Sequence, residues 1–198
     1  MEAVTAMTKV ILLKELKAFT KAVTRDVRLP VRPLEEDLLP PNPRPPRIYQ
    51  MRLPAFRDAC RKAPYILHQA ITGKDVQQAG IRPEASAVVR TVFCVYHENE
   101  EEGALALLNL METLRVALLE RPVLPGPFAL DLKAGLETLA YPDDSEPRTA
   151  PYYLGEMIST WNMPPVGRLD AGRVIHGAPP LDPKPRHLQE TIELKGKG

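Results

Sequence analysis

Cys94, His97 and the glutamates that follow them in "FCVYHENEEEG" are the residues of this chain with the types needed to attack, transfer protons or hold a cation. Cys94 and His97 stand three apart at the end of an apolar run that reads as a strand. Side chains alternate along a strand, so a thiol and an imidazole at that spacing point to opposite faces and make no nucleophile–base pair. The expectation is a free cysteine packed as a small hydrophobe. Glu98, Glu100, Glu101 and Glu102 have the oxygen chemistry for Mg²⁺ or Ca²⁺, yet Asn99 followed by Glu102 resembles a capping box. Carboxylates in a first helical turn also complement the positive end of the helix dipole.

His68 falls on a strand face and is expected to be a hydrogen-bonded histidine rather than a ligand. His176 and His187 lie in a proline-broken tail where no rigid element would hold them for catalysis. The second cysteine, Cys60, completes no CxxC or zinc-type spacing. None of G-x-x-x-x-G-K-[ST], G-x-G-x-x-G, H-E-x-x-H or G-x-S-x-G occurs. The residues therefore point to a protein without turnover, cofactor or metal.

The elements that would position these residues follow from periodicity. Leu12, Leu16, Phe19 and Val23 line one face of a helix from Thr8 to about Val23, with Thr8 as its cap. "RLPVRPLEEDLLPPNPRPPRIYQMRLP" cannot continue it, because each proline removes an amide donor and pushes the preceding residue toward extended geometry. "APYILHQAIT" and "SAVVRTVFCVYHE" read as strands, the second apolar enough for a central position. The polar stretch between them becomes a long hairpin arm if they pair. From Asn99 a strong helix carries a stripe of Leu107, Met111, Leu114 and Leu118, widened by Ala104, Leu108 and Leu110. "FALDLKAGLETLAY" alternates until Gly135 breaks or bulges it. The last strand, "APYYLGEMISTWNM", puts Tyr153, Gly155, Met157, Ser159, Trp161 and Met163 on one side.

The predicted class is α+β: a small mixed or antiparallel sheet backed by helices, with extended proline-rich arms. Residues 1–62 form the N-terminal helix and arm, 63–163 the body and 164–198 the C-terminal tail.

The chain has 198 residues and 22 prolines, about twice the usual share, clustered on either side of the body. Charge divides the same way. Lys and Arg outnumber Asp and Glu by 13 to 7 in residues 1–62 and by 6 to 4 in residues 164–198, but are outnumbered 14 to 7 in residues 63–163. An acidic body would repel phosphate, which argues against direct nucleic-acid recognition. Basic, proline-rich extremities suit acidic neighbours. With two cysteines and no apolar run of membrane length, a soluble intracellular protein is expected.

The tail contains too many prolines and glycines to bury a core of its own. Arg168, Arg173, Lys184 and Arg186 are its candidate contacts with another subunit, and Tyr152, Tyr153 and Trp161 are candidate anchors on the strand before it. The tail is expected to become ordered only against a neighbour.

Three stretches, "KAPYILHQAITGKDVQQ", "VVRTVFCVYHENEEEGALALLNLMETLRVALL" and "APYYLGEMISTWNMPPV", in this order and spacing, resemble the tail terminator, or tail completion, proteins of tailed bacteriophages and prophages of Gram-positive bacteria. The resemblance spans roughly Lys62 to Val166. It implies a small α/β fold in a ring, usually a hexamer, on the head-proximal end of the tail tube. Such a ring stops tube growth and meets the head–tail connector or stopper. It also implies a virion protein assembled in the bacterial cytoplasm, with DNA passing through the lumen unbound. Glu98, Glu100, Glu101 and Glu102 are then candidates for lumen repulsion. Two other classes fit less of the pattern: a different neck component, such as a head-closure or adaptor protein, and a small enzyme.

Overall fold

The computed structural model describes residues 9–35, 37–55, 62–78, 81–141 and 150–165. Within them two helices and six strands follow in the order α1 (Lys9–Val23), β1 (Arg47–Gln50), β2 (Tyr65–Val76), β3 (Glu84–Tyr96), α2 (Glu100–Glu120), β4 (Ala129–Leu130), β5 (Leu136–Ala140) and β6 (Tyr152–Met163). The fold is α+β, as the patterning predicts. Its sheet is mixed, in the order β1-β2-β3-β6, with β4 and β5 both paired to the outer side of β6.

β3 and β6 form the centre, in antiparallel register from Ala85 opposite Met163 to Tyr96 opposite Tyr152. The alternation in β6 is the one read from sequence: Tyr153, Gly155, Met157, Ser159 and Trp161 are buried, while Leu154, Glu156, Ile158 and Thr160 are half-exposed. β2 and β3 do pair as a hairpin, and their ladder runs out to Val76 opposite Glu84. Residues 73–76 and 84–85 of the polar stretch are therefore strand rather than loop. Where one strand was expected from Phe128, there are two short ones. Leu130 lies opposite Trp161 and Leu136 opposite Ser159, so residues 131–135 loop out against Thr160 alone. Gly135 has φ +78°, a conformation that side chains disfavour, and Asp131 Oδ1 accepts the amides of Lys133 and Ala134 to hold the turn.

Both helices cover one face of the sheet. Leu12, Leu13 and Leu16 of α1 and Leu107, Leu110, Met111, Leu114 and Leu118 of α2 close over Ile66, Val89, Phe93, Met157 and Trp161 in a single apolar core. Gly103 and Gly155 let α2 and β6 approach each other closely. A Cβ on Gly103 would sit 2.1 Å from the Tyr153 ring, and one on Gly155 2.5 Å from Met111 Sδ. Among the described residues the opposite face carries a small cluster of Ala63, Cys94 and Tyr96, flanked by Tyr65, Tyr152 and Leu154.

The proline-rich stretch after α1 is extended, but it lies on its own body. Leu29 and Arg44 bridge each other, Leu29, Val31 and Ile48 are buried, and β1 adds in parallel to β2 from Arg47 opposite Tyr65 to Gln50 opposite His68. The Arg44 guanidinium donates to the carbonyls of Lys62, Ala63 and Pro64 and fastens the stretch to the start of β2. The first 62 residues thus contribute a strand and core side chains to the body, because Leu29, Val31 and Ile48 gain more by burial than a free arm would by solvation.

Candidate assembly surfaces

The acidic turn is built on the cap of α2. Asn99 has extended backbone, and its Oδ1 accepts the Glu102 amide at 3.0 Å. The reciprocal half of the capping box is replaced by a histidine. His97 Nδ1 accepts the Asn99 amide at 3.1 Å, and His97 Nε2 stands 3.1 Å from Glu102 Oε2. A neutral imidazole protonated on Nε2 makes both contacts. Glu98 Oε1 accepts the Tyr96 hydroxyl at 3.1 Å, and burial with that carboxylate beside it pushes the Tyr96 pKa up. Glu98 and Glu102 thus have local partners, whereas Glu100 and Glu101 face solvent. Among the described residues no group of three or more His, Cys, Asp or Glu side chains is arranged to hold a metal ion.

The three aromatic candidates separate. Trp161 is fully buried, its indole N–H donating to Ser159 Oγ at 3.0 Å, and Tyr153 is buried beneath Gly103. Both are core residues in this fold and offer no surface to a neighbour, because the row they share is the one that faces the helices. Tyr152 lies on the other row. It is half-buried beside Tyr96, with ring centroids 5.7 Å apart, and its hydroxyl accepts from Arg32 at 3.1 Å. It anchors the N-terminal stretch to β6 and keeps part of its ring open. Arg168, Arg173, Lys184 and Arg186 lie outside the described residues.

Sheet and helix surfaces that sequence reasoning passed over are the more exposed ones. On the uncovered sheet face Val88, Val92, Leu154 and Ile158 stand half-exposed around an ion pair between Arg90 and Glu156. β5 is an edge strand beyond β6 whose residues from Glu137 to Ala140 are exposed, with Leu139 at 51%. A row of hydrophobic side chains runs along the solvent side of α2, and Leu108, expected in the buried stripe, belongs to it. The signal for this row was present, since α2 is apolar on more than one side. Period alone does not say which side meets the sheet.

Two buried polar groups complete the chemistry. Cys94 is packed beside Tyr65, and burial raises its thiol pKa to about 12, which leaves it inert as a nucleophile. His68 is fully buried between α1 and β3. Its Nε2 lies 3.0 Å from Thr20 Oγ1 and its Nδ1 2.9 Å from Thr91 Oγ1. Burial holds its pKa down at about 3, so the ring is neutral. It is the satisfied histidine that its place on a strand face predicts. A cleft of about 800 Å³ at the far end of the β2–β3 hairpin is lined by Lys74, Arg82, Glu84, Asp131, Lys133 and Asn162 among others. Its charges are mixed, and Asp131 is committed to its own turn.

Among the described residues no helix is long and apolar enough to cross a membrane. The fold, among the described residues, is that of a small α+β protein with helices on one sheet face, no helix on the other, and β5 at an edge of the sheet. Comparison of the chain with protein-family models returns no match, and comparison with curated proteins returns none.

Proposed function

We propose that this chain is a structural, ring-forming protein of the tail-terminator kind, without turnover. Six copies close a ring on the head-proximal end of a phage tail tube, end its growth and meet the connector or stopper. The observation that supports the reading most is the one-sided sheet. Among the described residues its second face carries half-exposed apolar side chains with no helix over them and β5 is an edge strand with exposed side chains, and a protein that assembles has a use for both. The sequence resemblance supplies the kind of assembly.

Glu100 and Glu101, exposed at the start of α2, supply repulsion to DNA if that end of the helix lines the lumen. The basic residues Arg168, Arg173, Lys184 and Arg186 act on a neighbouring subunit or neck partner. The decisive experiment is cryo-electron microscopy of particles assembled with this chain. A ring between tube and connector supports the terminator reading. A position against the head portal assigns the chain to head closure, and absence from the particle refutes a structural role. Ending the chain after Val166 should leave the body folded and weaken ring formation or neck attachment.

A further inference from the structure

Two helices on one face of this sheet carry opposite charge, and among the described residues Glu112 is paired with Arg115 of its own helix and Glu102 with His97, while Glu100 and Glu101 form no ion pair. α1 has four lysines against one glutamate, and α2 has five glutamates against one arginine. On α1, Val10, Lys14, Lys17 and Lys21 recur at spacings of four, three and four and are all exposed. At 100° per residue they fall in one narrow row, away from the buried Leu12, Leu13 and Leu16. On α2, Leu105, Leu108, Glu112, Val116 and Leu119 recur at spacings of three, four, four and three, with Glu101 one turn ahead.

The four apolar members of the α2 row are 58%, 49%, 43% and 41% exposed in that order, although the helix already buries a full stripe on its opposite side. Single exposed hydrophobes are ordinary, but four in one row form a seam. Among the described residues, no lysine of α1 forms an ion pair with a glutamate of α2 in the same subunit.

We propose that the outward row of α2 is the docking surface for the lysine row of α1 from a second copy of this chain. Lysine suits an apolar seam with acidic members. Its methylene stem covers leucine and valine while the ammonium reaches a carboxylate, here Glu101, since Glu112 is held by Arg115 of its own helix. α1 lies over β1 and β2, and α2 over β3, β5 and β6. The two rows therefore belong to opposite halves of the subunit, and joining them makes a head-to-tail contact that leaves one free row at each end. Such a contact closes into a ring when its rotation allows. This deepens the ring reading above and rests on it only for closure. The contact itself stands on the two rows.

The test is sedimentation of the full chain over a concentration series. Wild type associates reversibly, and its affinity falls at least tenfold when salt is raised from about 0.05 M to about 0.5 M. Lys14→Glu with Lys17→Glu removes one row, and Leu105→Glu with Leu108→Glu removes the other. All four positions are exposed, and circular dichroism checks that each double variant keeps its fold. Each variant alone is monomeric, but an equal mixture forms a one-to-one pair, because each brings the row the other lacks. A wild type that stays monomeric overturns the proposal, as does a mixture that stays monomeric. So does an α1 variant that still associates as wild type does, which would mark a symmetric α2–α2 contact. If pairing occurs as expected but the chain is absent from phage necks, the terminator reading fails and this contact stands.

Discussion

Lowering the pH from 8 to 5 should cost this protein about 2 kcal/mol of stability through His68 alone. In the unfolded chain the imidazole takes up a proton near its ordinary pKa of about 6.5. In the fold it stays neutral down to about 3. Between those values the unfolded state binds more protons, so stability is whole above about 6.5 and declines by about 1.4 kcal/mol for each unit of pH below it. The cause is desolvation. The two threonine hydroxyls are able to accept from a charged ring, but among the described residues no carboxylate is hydrogen-bonded or ion-paired to it.

The window between pH 6.5 and 5 separates this histidine from most carboxylates, which protonate lower. Urea unfolding followed by circular dichroism reads the effect as a midpoint lower by about 1 M, for a slope near 2 kcal/mol/M. The control is His68→Gln, which keeps an amide between Thr20 and Thr91. That variant is less stable at pH 8 but loses much less on going to pH 5. Parallel losses in wild type and variant across that window would refute the argument, because the acid sensitivity would then arise elsewhere.

Asn99→Ala removes the side-chain acceptor for the Glu102 amide and should lower stability by about 1 kcal/mol in thermal unfolding. Gly103→Ala tests packing against propensity. Alanine would ordinarily favour a helix by about 1 kcal/mol, but the Tyr153 ring occupies the space of the new methyl, so the variant should be destabilised, and adding Tyr153→Leu should recover part of the loss. Trp161→Ala should cost roughly 3–5 kcal/mol in the monomer, the value for a buried core aromatic, as read from denaturant unfolding. Glu100→Lys should leave the melting curve nearly unchanged while increasing nonspecific binding of DNA to assembled rings, measured by filter retention at low salt.

What the sequence makes legible here is whatever rests on local period or local capping. β6 alternates so regularly that each residue's face was readable, and Asn99 announced α2 by its place before three glutamates. Non-local choices were not readable in the same way. "RIYQ" is too short and too close to prolines to show a strand, and its parallel partner begins 15 residues further along the chain. Leu108 illustrates a different limit: with apolar residues on two sides of α2, only the tertiary arrangement decides which side is core. Tyr153 and Trp161 were weighed as anchors because aromatics serve cores and interfaces alike, and the row they share settles the matter only once its helices are in place.

The central position of β6 bears on how the chain reaches its fold. The strand that completes the sheet is the last strand of the body to be synthesised, yet β3 pairs with it along nearly its whole length, and among the described strands β4 and β5 pair with it alone. Until residues 152–163 exist, α1, α2, the β1–β2 pair and the β2–β3 hairpin can form, but Phe93, Met111 and Leu114 lack the Met157 and Trp161 side chains that share their core. Sheet completion is then a late, long-range event, the kind that makes folding slow and leaves apolar surface open meanwhile. Chains stopped short of β6 would be sticky fragments, so quality control during synthesis depends on the strand that arrives last.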